Sequence, residues 1–190
     1  MIYPSKPLKL IMKKTDLPSH TLEFSPTVHP TAFIARGAQV MGDVRLAAHA
    51  SIWYNCVVRG DINYISIGER SNIQDGCILH LENDLPCVVE NDVTVGHGAI
   101  LHGCHIEPGC LIGMGAIVLS GAVVKRGSVI AAGAVVREHS IVEPYSLMAG
   151  IPAKCIRTID ESSYEKNLLW AEKYVKVAQK HREKGFAATE

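Results

Sequence analysis

Aliphatic residues recur every six positions along most of the 190-residue chain. One run holds Val28, Ile34, Val40, Leu46, Ile52 and Val58, a second Ile67, Ile73 and Leu79, and a third Val89, Val95 and Leu101. After one five-residue step the ladder resumes at Ile106 and continues through Ile112, Val118, Val124, Ile130, Val136 and Val142. Four residues beyond each aliphatic position the side chain is usually small, as at Ala32, Ala50, Cys56, Ser71, Cys77, Ala99, Cys110, Ala116, Ala122, Ser128 and Ala134. A period of six suits neither an amphipathic helix nor simple alternating strands, and it marks a hexapeptide β-helix. Each hexad makes one flat face with two inward positions. Three faces close a triangular coil of about eighteen residues, so the ladder predicts about six coils stacked at the strand spacing of roughly 4.8 Å. Gly42 and Gly96 fall where a sharp corner or close stacking needs a missing Cβ.

Two interruptions stand out. Three extra residues enter around Arg59-Gly60-Asp61, and a loop of Glu82 to Pro86 delays the next hexad to Val89. Loops extruded from a rigid repeat are natural places for function. The ladder stops after Pro152, and Tyr164, Leu168, Ala171, Val175 and Ala178 then fall at helical spacing, predicting one amphipathic helix from about Asp160 to Lys184 that packs on the prism. The expected organisation is an N-terminal extension over residues 1–24, the β-helix over 25–155, and the helix and tail over 156–190.

Numbering the faces converts the repeat into coordinates. With Ile67, Ile73 and Leu79 as faces one to three, Val89, Val95 and Leu101 are the same faces one coil up. His80 and His102 each follow the aliphatic of face three, so their imidazoles stack outward on adjacent coils, near enough for one metal. Such a pair would repel when charged, and a metal is the simplest reason for it. Arg59 stands at the foot of the same column. His97, two residues after Val95, points away from that pair within one prism, and a neighbouring prism could supply it across a closed three-fold contact. Asp75 lies directly below His97, as a partner carboxylate or an interface group. His20, His29, His49, His139 and His181 read as surface residues. His105 reads as an inward packing residue, and Cys56, Cys77 and Cys110 as packing rather than thiolate ligands.

Net charge is formally zero and the pI is about 7.1, so nothing draws the whole molecule to nucleic acid or to an anionic membrane. Six cysteines without a short paired spacing, and a Lys-bearing start without a continuous apolar stretch, favour reduced thiols and a cytoplasmic protein, with an organelle transit segment as the weaker alternative.

From Val28 to Pro152 the chain resembles the γ-class carbonic anhydrase family, in particular its small bacterial members. The likeness runs through Arg59-Gly-Asp61, Asn72-Ile-Gln-Asp75-Gly, Leu79-His80, Val95-Gly-His97 and Leu101-His102-Gly-Cys. It implies an all-β, single-stranded left-handed parallel β-helix with a C-terminal α-helix, a homotrimer, and a divalent metal held by His80, His97 and His102. Zinc is usual there, with Fe2+ or Co2+ as substitutes. The resemblance also implies that Gln74 hydrogen-bonds the metal-bound water, that Arg59, Asp61 and Asp75 join subunits and shape the site, and that a metal-bound hydroxide hydrates carbon dioxide reversibly to bicarbonate. This sequence departs from the best-studied pattern at the proton shuttle. Ile62 follows Asp61 where that pattern has Glu, and the loop after His80 is short, leaving Glu82 and Asp84 as substitutes and implying slow turnover. Two other functions suit the same coil: a hexapeptide acyltransferase with a histidine base, and a non-catalytic metal-binding trimeric scaffold.

Overall fold

The computed structural model describes residues 17–18 and 21–188, so most of the expected N-terminal extension, and His20, lie outside the described residues. Among the described residues, nineteen strands, β1 to β19 in chain order, build a left-handed parallel β-helix. Most are two residues long, because only the inward aliphatic and the residue before it run straight. The small residue four positions on lies inside the bend, and nearly all of these are fully buried.

Face one stacks β1 (Thr27–Val28), the second half of β3 (Gln39–Leu46), the second half of β5 (Val57–Ile67), β8 (Cys87–Val89), β11 (His105–Ile106), β14 (Val123–Val124) and β17 (Ile141–Val142). Face two stacks β2 (Phe33–Ile34), β4 (Ser51–Ile52), β6 (Asn72–Ile73), β9 (Thr94–Val95), β12 (Leu111–Ile112), β15 (Val129–Ile130) and β18 (Ser146–Ala149), with β19 (Lys154–Thr158) antiparallel at its end. Face three stacks the first halves of β3 and β5, then β7 (Ile78–His80), β10 (Ile100–His102), β13 (Ile117–Val118) and β16 (Val135–Val136). Seven strands on faces one and two make about seven turns, one more than the ladder suggested, because the pattern extends past Val142 to Met148 on β18.

Inside the prism Ile73, Leu79, Val95, Leu101, Ile112 and Val118 have no exposed surface. Each such side chain contributes about 1.5–3 kcal/mol relative to leaving it in water. The helix α1 (Glu161–Glu183) lies against β2, β4, β6 and β9 of face two, burying Asn167, Ala171 and Ala178. Its start follows Asp160, within a residue of the sequence expectation. No described helix is long and apolar enough to cross a membrane.

The three faces therefore differ in what covers them. Face two is under the helix. Face one turns a mixed set outward, including Arg45, Ser66 and His105. Face three carries Val57, Ile78, Ile100, Ile117 and Val135 outward, each in register with the next and none fully buried. Among the described residues no helix packs on this aliphatic ladder as α1 packs on face two, and an apolar surface of this kind suits a contact.

All three irregularities of the hexad ladder fall at the corner from face three to face one. The extra residues after Val58 do not form a free loop; β5 continues through them and its register slips against β3 between Gly42 and Val44. Gly42 has φ +78°, and a Cβ there would lie 2.1 Å from the Gly60 carbonyl oxygen, so the tight corner demands glycine. One coil up, Glu82 and Leu85 close a small hairpin by exchanging backbone hydrogen bonds of 3.1 and 3.3 Å. Asn63, on the bulged part of β5, donates to the Glu82 and Asn83 carbonyls at 3.2 and 2.8 Å and so pins that hairpin. The five-residue step from Leu101 to Ile106 is the third irregularity.

Candidate metal centre

His80 and His102 end β7 and β10 and pair in register, as the face numbering predicts. Their rings lie 5.2 Å apart between centroids, and His80 Nδ1 is 3.2 Å from His102 Nε2. The remaining nitrogens are occupied by the protein. His80 Nε2 is 3.0 Å from Asp61 Oδ1, and His102 Nδ1 is 2.9 Å from Ser120 Oγ, whose proton goes to Glu82 Oε1 at 2.9 Å. Arg59, one coil below His80, binds the other oxygen of Asp61.

Burial alone would push the Asp61 carboxyl up, but hydrogen bonds from His80 and Arg59 together outweigh it and hold Asp61 below the usual carboxylate range. For His80 burial dominates and lowers its value, against the opposing pull of the Asp61 hydrogen bond, so the ring is neutral at neutral pH. A carboxylate only accepts hydrogen bonds, so His80 donates to Asp61 from Nε2 and turns the lone pair of Nδ1 toward His102.

His97 sits at the other edge of face three, in the turn after β9. A Cβ on Gly96 would come within 2.8 Å of the Met114 backbone nitrogen, so glycine lets this turn stack closely below the next coil. Asp75 lies below His97, as expected, and accepts from its Nδ1 at 2.7 Å while also accepting the Tyr54 backbone N–H at 3.2 Å. The same corner holds Gln74. This residue is 5% exposed, its side chain donates to Asn72 Oδ1 at 3.2 Å, and Asn72 in turn donates to Thr94 at 2.9 Å, so the carboxamide is held in a fixed orientation.

The predicted residues therefore form two half-sites on opposite edges of the aliphatic face: Arg59, Asp61, His80 and His102 at one, Gln74, Asp75 and His97 at the other. Among the described residues of a single chain, no three His, Cys, Asp or Glu side chains gather closely enough to hold a metal ion. Beside the His80 edge a cleft of about 350 Å³ is lined by Ile62, Leu81, Glu82, Asn83 and Asp84.

Ser120 was not among the sequence candidates. Leu119 holds the position above His102, and Ser120, two residues past Val118, reaches the ring from the following turn, so the repeat carried no signal for it. Two histidine readings need correction. His105 does not point inward: the five-residue step gives Cys104 the inward position, and His105 faces out to Glu90 at 2.5 Å. His181 is not a surface residue, because it falls three positions after buried Ala178 on α1. It packs among Phe33, Trp53 and Phe186 and lies 2.7 Å from the Tyr54 hydroxyl. His29, His49 and His139 are exposed, and Cys56, Cys77 and Cys110 are buried in the prism, as expected.

Residues 103–138 match the protein family described as bacterial transferase hexapeptide (six repeats). A Methanocaldococcus jannaschii protein named "Probable carbonic anhydrase" is 47% identical over 146 residues, 77% of this chain and 92% of its own length. Gamma carbonic anhydrase 2, mitochondrial, of Arabidopsis thaliana is 45% identical over 89 residues, 44% of this chain and 32% of its own. The crystal structure of a hexapeptide transferase family protein from Anaplasma phagocytophilum superposes with a TM-score of 0.79 at 40% identity, covering 82% of this chain and 92% of that one.

Proposed function

The chain belongs to the γ-class carbonic anhydrase family, and on that basis we propose that it hydrates carbon dioxide reversibly to bicarbonate at a divalent metal, zinc foremost, shared between subunits of a homotrimer. His80 and His102 of one chain and His97 of the partner subunit hold the metal. The observation that carries this reading is the pair of facing nitrogens. Two ligands at about 2.0–2.1 Å from a tetrahedral zinc lie roughly 3.3 Å from each other. The 3.2 Å between His80 Nδ1 and His102 Nε2 matches that spacing, and their other nitrogens are engaged as those of metal-ligating histidines usually are. Supporting the trimer, the aliphatic ladder of face three separates the two half-sites. Turning that face toward a three-fold axis covers it and brings the His80 edge of one prism to the His97 edge of the next.

Held by His80, His102 and the partner subunit's His97, a divalent metal would supply the Lewis acidity that makes water a nucleophile near neutral pH. Arg59 and Asp61 hold His80, Asp75 holds His97, and Gln74 brings a fixed carboxamide to the His97 edge, where it would orient the attacking water. Ile62 and Leu81 give the adjoining cleft an apolar wall suited to a neutral substrate, while Glu82 and Asp84 give the leaving proton acceptors in place of the Glu that Ile62 replaces. Stopped-flow hydration of carbon dioxide tests the reading, with protein loaded with zinc and, anaerobically, with iron. Hydration above the buffer rate, lost in His80→Ala, His97→Ala and His102→Ala, is expected. No hydration with either metal would refute it; acetyl transfer from acetyl-coenzyme A would then favour the transferase reading, and no turnover of either kind a scaffold.

A further inference from the structure

We propose that Glu82 acts through Ser120 to hold His102 in the tautomer that offers Nε2 to the metal, making these two side chains positioning residues of the site. The inference rests on the metal reading above and extends it. A serine hydroxyl has one proton. Ser120, 4% exposed, spends it on Glu82 Oε1 at 2.9 Å, so toward His102 Nδ1, also at 2.9 Å, its oxygen can only accept. Nδ1 must then carry the ring proton, and Nε2 turns its lone pair toward His80 Nδ1. Without the carboxylate the hydroxyl is free to rotate and donate to Nδ1, which puts the proton on Nε2 and blocks it as a ligand.

Each of the three histidines thus ends on a carboxylate: His80 on Asp61, His97 on Asp75, and His102 on Glu82 through one hydroxyl. The third arrangement also accounts for the irregular corner. Hexads of regular length would carry no side chain from this coil up to Ser120. The Glu82–Leu85 hairpin supplies one, and Asn63, carried by the bulge in β5, fixes its backbone. On the upper side, the Gly121 N–H donates to the Gly103 carbonyl at 2.7 Å, locking the Ser120 turn onto the turn that follows His102.

Two readouts on the trimer test this. In metal-free protein labelled with 15N-histidine, long-range proton–nitrogen spectra report the tautomer of His102 whether or not the protein binds metal. The wild type is expected to show the proton on Nδ1, and Glu82→Ala to move His102 toward the Nε2–H form. In chelator competition, Ser120→Ala and Glu82→Ala are each expected to weaken zinc binding about 10- to 100-fold. The double variant should be no weaker than the worse single one, because the two groups act as one chain. Circular dichroism and trimer size confirm that the variants are folded. An unchanged His102 tautomer in Glu82→Ala overturns the relay, as does wild-type zinc affinity in that variant. Absence of zinc binding in the wild type, with the predicted tautomer shift in Glu82→Ala, overturns the metal reading and leaves the relay standing.

Discussion

Replacing Ile78 with Asp strikes the aliphatic ladder at its most exposed rung without touching a ligand. Ile78 is 43% exposed in the single chain, in register between Val57 and Ile100 on face three. Its side chain points out of the prism, so the substitution leaves the coil core intact. In a trimer with face three turned to the axis, the remaining apolar surface of each Ile78 is covered, which contributes about 1 kcal/mol per copy, less than half the value for a whole isoleucine. A carboxylate there loses that gain and adds the cost of desolvating an unpaired charge, several kcal/mol, with like charges converging from three subunits. A combined penalty of about 4 kcal/mol per contact weakens association roughly 1,000-fold. Sedimentation velocity at low micromolar concentration is expected to show monomers with the β circular-dichroism spectrum of the wild type. Zinc content should fall with the trimer, because the monomer cannot bring His97 to the other half-site. A trimeric Ile78→Asp protein with full zinc refutes the placement of the interface, and a folded monomer with full zinc refutes the sharing of the site.

Burial pushes the Cys110 thiol from an ordinary value of 9.0 up to about 12, so the folded chain resists ionising it. Stability from this group is fully present below pH 9 and is lost as pH rises toward 12, reaching about 2 kcal/mol of loss by pH 10.5. Cys110→Ala costs about 1 kcal/mol at pH 7 through lost packing, but denaturant unfolding at pH 8 and 10.5 should show a smaller alkaline loss than in the wild type; equal losses would contradict the assignment. On the proposed function, Ile62 in place of a shuttle Glu makes proton export the expected limiting step, and kcat for hydration should then rise severalfold with imidazole buffer concentration at constant ionic strength. A kcat independent of buffer would show that Glu82, Asp84 or another group already carries the proton efficiently.

The sequence was most legible where one residue type answers to one constraint. The inward aliphatics could be counted, and counting placed His80 opposite His102 and Asp75 below His97 before any coordinates. Even the corner that carries the His80 half-site was visible, since every break in the six-residue count falls between face three and face one. The outward ladder was legible too, in the residue before each aliphatic of face three. His105 was misread because a five-residue step shifts the inward position to Cys104, and a count by fixed offset does not register the slip. Ser120 and its link to Glu82 were hidden for another reason. They lie 38 positions apart and meet only by side-chain reach across coils, and no periodicity encodes that distance.

The central claim is that one metal is held by histidines of two subunits, and mixed trimers test it most directly. Subunits carrying His97→Ala keep the His80 and His102 half-site, and subunits carrying His80→Ala with His102→Ala keep the His97 half-site. Each variant alone should form trimers that bind no zinc. Unfolded together, refolded and separated by differently charged tags, every mixed trimer should recover a single intact site, whichever subunit is in the majority, and bind one zinc. Mixed trimers without zinc, or His97→Ala trimers that retain their full complement, would contradict the account.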